Sequence, residues 1–474
     1  MAEIHVRAAP VLRASFCKGC NRCVDACARG CLSPGDRIDA ASGVVPVAFD
    51  STLCNGCNLC VDACPEPYGL VEAELGARLA QASRRPRAAG RPTPEAIPDA
   101  AVPLPALEPL VLKGTHAAAA GALLAGCRHF YGYPITPSTE GAEAMAAVLP
   151  SLGGHFVQAA SEVAAVNMMY GTAAAGLPVM TFTSSPGFSL MLEGISYMVG
   201  AELPAVFVDV MRGGPGLGNI APEQSDLKLA CRGLGHGNTR AIVLAPATPQ
   251  EMLDDAILAF ALAFRWRNPV IVVADGFLGQ MTGRVGVPRA AVRPGVPAWA
   301  VHGDAAHRGN LVSSIHLSEA DLEAHNLALV AKYGRMAATE QRSESWCCDD
   351  AEVLLVAVNT PARTAKGAVR ALRAEGVRAG LFRPRTVWPF PVDALLPLLP
   401  HVRRLVVVEA SDGQLEDELR LALSHAGVAP PRIEHVRRMG GMLPSQREIL
   451  AAVKHGSQAS QQAQQASQAL EVRP

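Results

Sequence analysis

The chain has 474 residues, room for about three domains at roughly 150 residues each. Apolar residues make up 49% and charged residues only 18%, a balance that excludes a disordered or tail-like protein. Lys and Arg number 42 against 43 Asp and Glu, a net charge of −1; without a basic surplus, nucleic acid is not an expected partner. Nine of the thirteen cysteines fall before residue 65, which speaks of metal rather than a disulfide scaffold. The other four, Cys127, Cys231, Cys347 and Cys348, read as small core hydrophobes. The first sixteen residues lack an apolar signal core. The uncharged run from Val163 to Leu192 is interrupted by Asn167, Gly176, Pro178, Ser184, Ser185 and Pro186. It reads as helix, strand and helix start rather than a membrane span, and a cytoplasmic chain is expected.

In chain order, residues 1–79 come first as the cysteine-rich block. It contains Cys17-x2-Cys20-x2-Cys23-x3-Cys27 and Cys54-x2-Cys57-x2-Cys60-x3-Cys64-Pro65. Zinc also takes paired thiolates, but its sites show two separated C-x2-C knuckles, not three cysteines within seven residues twice over. The spacing is that of bacterial two-cluster ferredoxins, in which the fourth cysteine of each run serves the other cluster. The block resembles that family, as a small α+β domain. One [4Fe-4S] cluster would then take Cys17, Cys20, Cys23 and Cys64, and the other Cys54, Cys57, Cys60 and Cys27. Ala28 stands where a proline often follows the fourth cysteine, and Cys31 is a ninth thiol with no evident iron.

Residues 80–107 are rich in Ala, Pro and Arg without apolar periodicity and read as a linker. From 108 to 285, short apolar strands alternate with helices. The strands are expected at 128–133, 155–158, 179–183, 205–210, 241–244 and 270–274, the pattern of an α/β domain with a covered parallel sheet. Residues 286–345 read as a crossover arm. A second α/β unit occupies 346–452, with strands at 353–358, 377–382 and 405–408 and helices at 362–375 and 392–399. The tail, 453–474, is rich in Gln, Ser and Ala and is expected to be disordered.

Three places in the central unit carry chemistry. Thr136-Pro137 reads as an N-cap with proline at the first helical position; its hydroxyl either caps the helix or, with the free N–H groups, forms a carboxylate site. Glu162 opens a helix otherwise free of charge. Either it complements the helix dipole, or it is a buried functional carboxylate, since burying that charge is costly without a partner. Arg212 begins a run of four glycines among seven residues after a strand. It is either a solvated arginine or a bidentate clamp for a carboxylate at a strand's carboxyl end.

Six segments occur in one order: YPITPSTE (133–140), SEVAA (161–165), MRGGPG (211–216), RNPVIVVADGFLGQM (267–281), RPRTVWPF (383–390) and RRMGGM (437–442). Over about 108–452 the chain resembles the alpha subunit of thiamine-dependent 2-oxoacid:ferredoxin oxidoreductases. Within that family it is nearest the branched-chain (2-oxoisovalerate) type and related to the 2-oxoglutarate type. The resemblance implies a pyrimidine-binding domain at 108–285 and a transketolase-C-terminal-like domain at 346–452. It places Glu162 on the aminopyrimidine of thiamine diphosphate, and Thr136 and Arg212 on the substrate carboxylate. It further implies conversion of a 2-oxo acid and coenzyme A to acyl-CoA and carbon dioxide, with electrons passing through iron–sulfur clusters to ferredoxin. The Gly-Asp-Gly and Asn-Asn pair that holds Mg²⁺ in this family is missing; Ala274-Asp275-Gly276 and Ser411-Asp412-Gly413 are its nearest strings. A beta subunit is therefore expected to bring the diphosphate and Mg²⁺, with a possible gamma subunit beside it. The competing expectation is a non-catalytic electron-transfer and docking subunit.

Overall fold

Runs such as Ala205–Met211 (AVFVDVM) and Pro269–Asp275 (PVIVVAD) are apolar on both faces, as strands buried between helix layers must be. Every residue of both is buried. They pair in parallel, Val206 opposite Val270 and Met211 opposite Asp275, at the centre of a seven-stranded sheet. The order across that sheet is Thr386–Trp388, Ile242–Leu244, Pro269–Asp275, Ala205–Met211, Val179–Thr183, His129–Gly132 and His155–Gln158. Six strands are parallel and match the expected α/β unit within two residues at each end. The seventh, Thr386–Trp388, runs antiparallel along Ile242–Leu244 and comes from the far C-terminal region.

These coordinates form a computed structural model that describes residues 8–40, 42–83 and 94–455. The chain divides into two compact units, Met1–Pro92 and Thr93–Pro474.

In the larger unit a second sheet of five strands has the order Ser343–Trp346, Ala379–Pro384, Val353–Val356, Arg404–Glu409 and Arg432–Arg437. Helix Asn359–Ala374 buries Ala362, Ala365, Ala368, Val369 and Leu372 against it, the i, i+3, i+4, i+7 stripe of an amphipathic helix. The expected helix at 392–399 is α-helical only over Val392–Leu395. It then tightens into a 3-10 helix, Leu396–His401, where Pro397 and Pro400 each remove a backbone donor.

The 80–107 stretch differs from a plain linker. Helix Ala73–Ser83 runs into its start, and Ala100–Pro103 is a strand paired antiparallel with Ala290–Arg293. Pairing there is carried by backbone hydrogen bonds rather than by an apolar side-chain pattern, which is why composition does not signal it. Residues 84–93 lie outside the described residues. The crossover arm likewise contains a 21-residue helix, Glu319–Thr339. Helix Gln446–His455 extends into the expected tail, and 456–474 lie outside the described residues. Among the described residues, no helix is long and apolar enough to cross a membrane.

The smaller unit has two short antiparallel ladders, Val11–Leu12 with Leu70–Val71 and Leu32–Ser33 with Ala48–Phe49. Each cysteine run feeds a single helical turn, Arg22–Asp25 in one and Leu59–Asp62 in the other.

Candidate functional site

The two cysteine runs fold alike because their local sequences, Cys-x-Gly-Cys-Asn, are alike. Gly19 and Gly56 take positive φ (63° and 71°), as do Asn21 and Asn58 (59° and 62°), a conformation that Gly and Asn adopt at least cost. The resulting turn points backbone N–H groups at sulfur: Gly19 N donates to Cys17 Sγ and Gly56 N to Cys54 Sγ, both at 3.4 Å. Cys17, Cys20, Cys23 and Cys64 line one cavity. Cys27, Cys54, Cys57 and Cys60 line another, together with Cys31. The fourth cysteine of each run thus crosses to the other run's cavity.

Burial and the neighbouring thiols Cys64, Cys17 and Cys20 push the Cys23 thiol up to about 11; burial, then Cys27, Cys54 and Cys57, raise Cys60 as well. Thiols so crowded need a polycationic centre to ionise together. Among the described residues, no three His, Cys, Asp or Glu side chains converge on a point as a single ion requires. The sulfurs surround a space, which suits a cluster and not a lone zinc.

The second site lies at the carboxyl ends of the parallel strands, where open α/β sheets bind ligands. Ser161 caps helix Glu162–Ala174, its hydroxyl accepting from Ala164 N at 3.2 Å. Glu162, the first helical residue, is 5% exposed, and among the described residues its carboxylate has no hydrogen-bond partner. Helix Ser185–Gly200 closes on it at Gly187. A Cβ there would sit 2.6 Å from Glu162 Oε1 and 2.5 Å from Thr183 Oγ1, so only glycine lets the helix approach. The Thr183 hydroxyl near the same point, and that of Ser184 next in the chain, are buried without partners. An accepting carboxylate with a hydroxyl near it fits the nitrogen edge of an aminopyrimidine.

Two residues before Gly187, Ser185 ties this helix to the glycine-rich loop. Its hydroxyl accepts from Arg212 N at 2.9 Å and donates to Asp226 Oδ2. Beneath lies Asp209, wholly buried on strand Ala205–Met211. Burial, reinforced by the Asp226 charge, pushes Asp209 far above the carboxylate range; burial lifts Asp226 to about 6. Arg212 reaches back with Nη1 to the Thr136 carbonyl at 2.7 Å and with Nη2 to the Leu217 carbonyl at 3.1 Å, while its buried Nε has no partner. Thr136 and Arg212 are therefore brought together through the Thr136 carbonyl.

The expected N-cap role of Thr136 does not hold. The helix begins at Thr139 after Ser138. The turn Ile135–Ser138 intervenes, closed by Ser138 N to Ile135 O at 3.0 Å and by the Ser138 hydroxyl to the same oxygen at 2.7 Å. Gln280 clamps this turn by donating to Pro137 O at 2.9 Å and Glu140 at 2.8 Å. Thr136 is left exposed, its hydroxyl free for a ligand.

The distal motifs converge on the same loop. Asn219 Nδ2 donates to Gly440 O at 3.0 Å, and Glu223 accepts from Gly214 N at 3.1 Å, so RRMGGM braces the glycine run. Asp275 is fully spent on structure: it accepts from Phe277 N and Leu278 N at 3.0 Å and from Thr360 N and Oγ1 at 2.8 Å. Asp412 pairs with Arg437. Neither acid of the two nearest Asp-Gly strings is set up to hold Mg²⁺. Ser185, Gly187, Asp209 and Asp226 escape sequence reasoning; an unexplained acid inside an all-apolar strand, Asp209, is the signal that points to them.

This architecture is that of a thiamine diphosphate-binding oxidoreductase subunit joined to an iron–sulfur module. Residues 120–327 match the family described as pyruvate flavodoxin/ferredoxin oxidoreductase, thiamine diphosphate-binding; 351–449 match pyruvate:ferredoxin oxidoreductase core domain II; and 16–67 match a 4Fe-4S dicluster domain. Ketoisovalerate oxidoreductase subunit VorB of Methanothermobacter thermautotrophicus is 47% identical over 346 residues, covering 73% of this chain and 97% of the relative. The 2-oxoglutarate synthase subunit KorA of Methanocaldococcus jannaschii is 34% identical over 366 residues, covering 72% and 98%. A solved 2-oxoglutarate:ferredoxin oxidoreductase from Magnetococcus marinus, with 2-oxoglutarate, coenzyme A and succinyl-CoA bound, superposes with a TM-score of 0.66 at 27% identity. The match covers 73% of this chain and 65% of the solved one. The chain belongs to the family of 2-oxoacid:ferredoxin oxidoreductase subunits.

Proposed function

We propose that this chain is the alpha-type subunit of a heteromeric enzyme that oxidatively decarboxylates a 2-oxo acid to acyl-CoA and passes the electrons to ferredoxin through its own two [4Fe-4S] clusters. Glu162 carries the reading: a largely buried acid opens its helix at the carboxyl ends of the strands, with no hydrogen-bond partner among the described residues and the buried Thr183 hydroxyl close by. Thiamine diphosphate, when bound, supplies the nucleophilic carbon and the electron sink that decarboxylation needs. Glu162 would hold its pyrimidine nitrogen and fix the proton balance there. Thr183 shapes the same wall, and Gly187 lets the next helix close on the carboxylate.

Arg212 keeps spare N–H groups beyond its two loop bonds. With the Thr136 hydroxyl they would grip the substrate carboxylate and orient it before it leaves. Ser185, Asp226 and Asp209 position Arg212 from below. The cysteine sets Cys17, Cys20, Cys23, Cys64 and Cys54, Cys57, Cys60, Cys27 would ligate the clusters. A partner beta subunit, supplying the diphosphate and Mg²⁺ site, completes the enzyme, with a gamma subunit as a further component. Because the VorB relatives are 47% identical and the KorA relatives 34–37%, a branched-chain 2-oxo acid is the favoured substrate and 2-oxoglutarate the second choice.

In the complex purified anaerobically with its co-purifying chains, Glu162→Gln should lower turnover by about 10² to 10⁴-fold, the usual worth of positioned acid–base catalysis. Iron content and the absorbance near 400 nm should stay intact. Full turnover in that variant would refute the role of Glu162. An assembled complex that binds no thiamine would favour an electron-transfer subunit instead.

A further inference from the structure

The two cysteine cages repeat with an offset of 37 residues, Cys17 answering to Cys54 and Cys27 to Cys64. Their walls are not equivalent. The first cage is lined by Lys18 and Glu66, one charge of each sign. At the matching places the second has Asn55 and Arg29, leaving a single positive charge. Beyond the last cysteine the second run is one residue longer, so the backbone place matching Cys31 is Gly69, whose carbonyl accepts from Arg13 N as that of Cys31 accepts from Asp50 N; Gly69 lines the first cage but brings no thiol.

Cys31 instead is 4% exposed and faces the second cage. Its backbone is fixed on both sides, N–H to Cys27 Sγ at 3.3 Å and carbonyl to Asp50 N at 2.8 Å, which holds its side chain in the lining of the cage beside Cys27 and Cys54. A four-iron cubane takes one outside ligand per iron, and Cys27, Cys54, Cys57 and Cys60 already make four. The fifth thiol has no iron to bind and is placed to donate.

We infer that Cys31 donates an S–H hydrogen bond to the ligand sulfurs of the second cluster and, with Arg29, sets that cluster's reduction potential above that of the first. The inference rests on the proposed two-cluster reading. Reduction adds one negative charge to a cluster, and both a hydrogen bond to its sulfurs and a nearby cation stabilise that charge. The first cage matches the second in its backbone hydrogen bond to sulfur, Gly19 N to Cys17 Sγ as Gly56 N to Cys54 Sγ, but it has no fifth thiol and its Lys18 is offset by Glu66. Electrons arriving at this module should settle on the cluster held by Cys54, Cys57, Cys60 and Cys27.

The test is a potentiometric titration of the anaerobically purified holo-protein, followed by electron paramagnetic resonance, with iron counted in parallel. The wild type should hold about eight irons and titrate in two separate waves. Cys31→Ala should keep the iron, shift only the higher wave downward and bring the two together; Cys31→Ser, which restores a donor, should recover part of the shift. Unmoved waves in Cys31→Ala would overturn the inference while leaving both clusters standing. A fall to about four irons would overturn it by making Cys31 a ligand. A wild type with a single cluster would instead sink the two-cluster reading, and the inference with it.

Discussion

The cysteine cages and the Glu162 site are built in opposite ways. Each cage draws three of its four cysteines from seven consecutive residues, and the fourth comes from just beyond the helical turn of the other run. The Glu162 site collects Thr136, Glu162, Ser185, Arg212 and Asp226 from the ends of separate strands and helices, with a brace from Gly440. A cage is therefore written in spacing, whereas the second site is written in topology. Local spacing survives being read one residue at a time; topology does not.

The sharpest way to break this comparison is at Gly187, where a single methyl group meets both Glu162 and Thr183. Gly187→Ala should displace the carboxylate and lower turnover of the assembled complex by about 10²-fold or more, with thiamine binding weakened and iron content unchanged. Wild-type turnover and thiamine affinity in that variant would show that the close approach is not needed.

A smaller effect, on cofactor content, tests the crossing of the cages. Cys64→Ala should cost one cluster of two, taking iron from about eight to about four per chain. The cluster left should be the one that also answers to Cys31→Ala. If Cys31→Ala moves a wave in the otherwise wild-type chain but not the cluster that survives Cys64→Ala, each run serves itself and the crossed assignment is wrong.

The smallest expected effect lies in the five-stranded sheet, far from either site in kind. His435 is largely buried, and burial alone would lower its pKa, but Nε2 meets Glu409 at 2.8 Å and Nδ1 meets Glu416 at 2.9 Å, which raise it to about 9. Its partner Glu416 is correspondingly held down to about 2, with the His435 hydrogen bond the leading cause. A raised folded-state pKa contributes stability that is fully present below the unfolded value near 6.5 and is lost as pH rises through about 9. His435→Gln should destabilise by at most about 3 kcal/mol at pH 6, and should flatten the decline in melting temperature between pH 6.5 and 9. A variant whose melting curve tracks the wild type throughout that window would assign the pH dependence elsewhere.

The sequence carried the parallel strands because each is a short apolar run closed by Gly or Pro, and the burial of Val179–Thr183, Ala205–Met211 and Pro269–Asp275 follows from that pattern. It did not carry Ala100–Pro103 or Thr386–Trp388, whose places depend on a partner strand distant in the chain. Among site residues, Glu162 and Arg212 stood out as charges where charge is costly or useful. Ser185 and Asp226 did not, since a serine near a helix start and an acid in a loop are ordinary until the fold joins them. Thr136 was recognised for its residue type but misjudged in its local geometry, because Ser138 supplies the bonds that close the turn.

The antiparallel strand Thr386–Trp388 has one more consequence. It follows directly on Ala379–Pro384 of the second sheet and covers the edge of Ile242–Leu244 in the first, so the two sheets cannot be parted without uncovering a row of unpaired backbone groups. The polar seam from Gln224 through Asn359, with Asn359 Nδ2 on Pro246 O and Val273 O at 2.8 and 2.9 Å, stitches the same join. The two α/β sheets are thereby joined within one compact unit, Thr93–Pro474, while the cysteine-rich segment belongs to the other, Met1–Pro92.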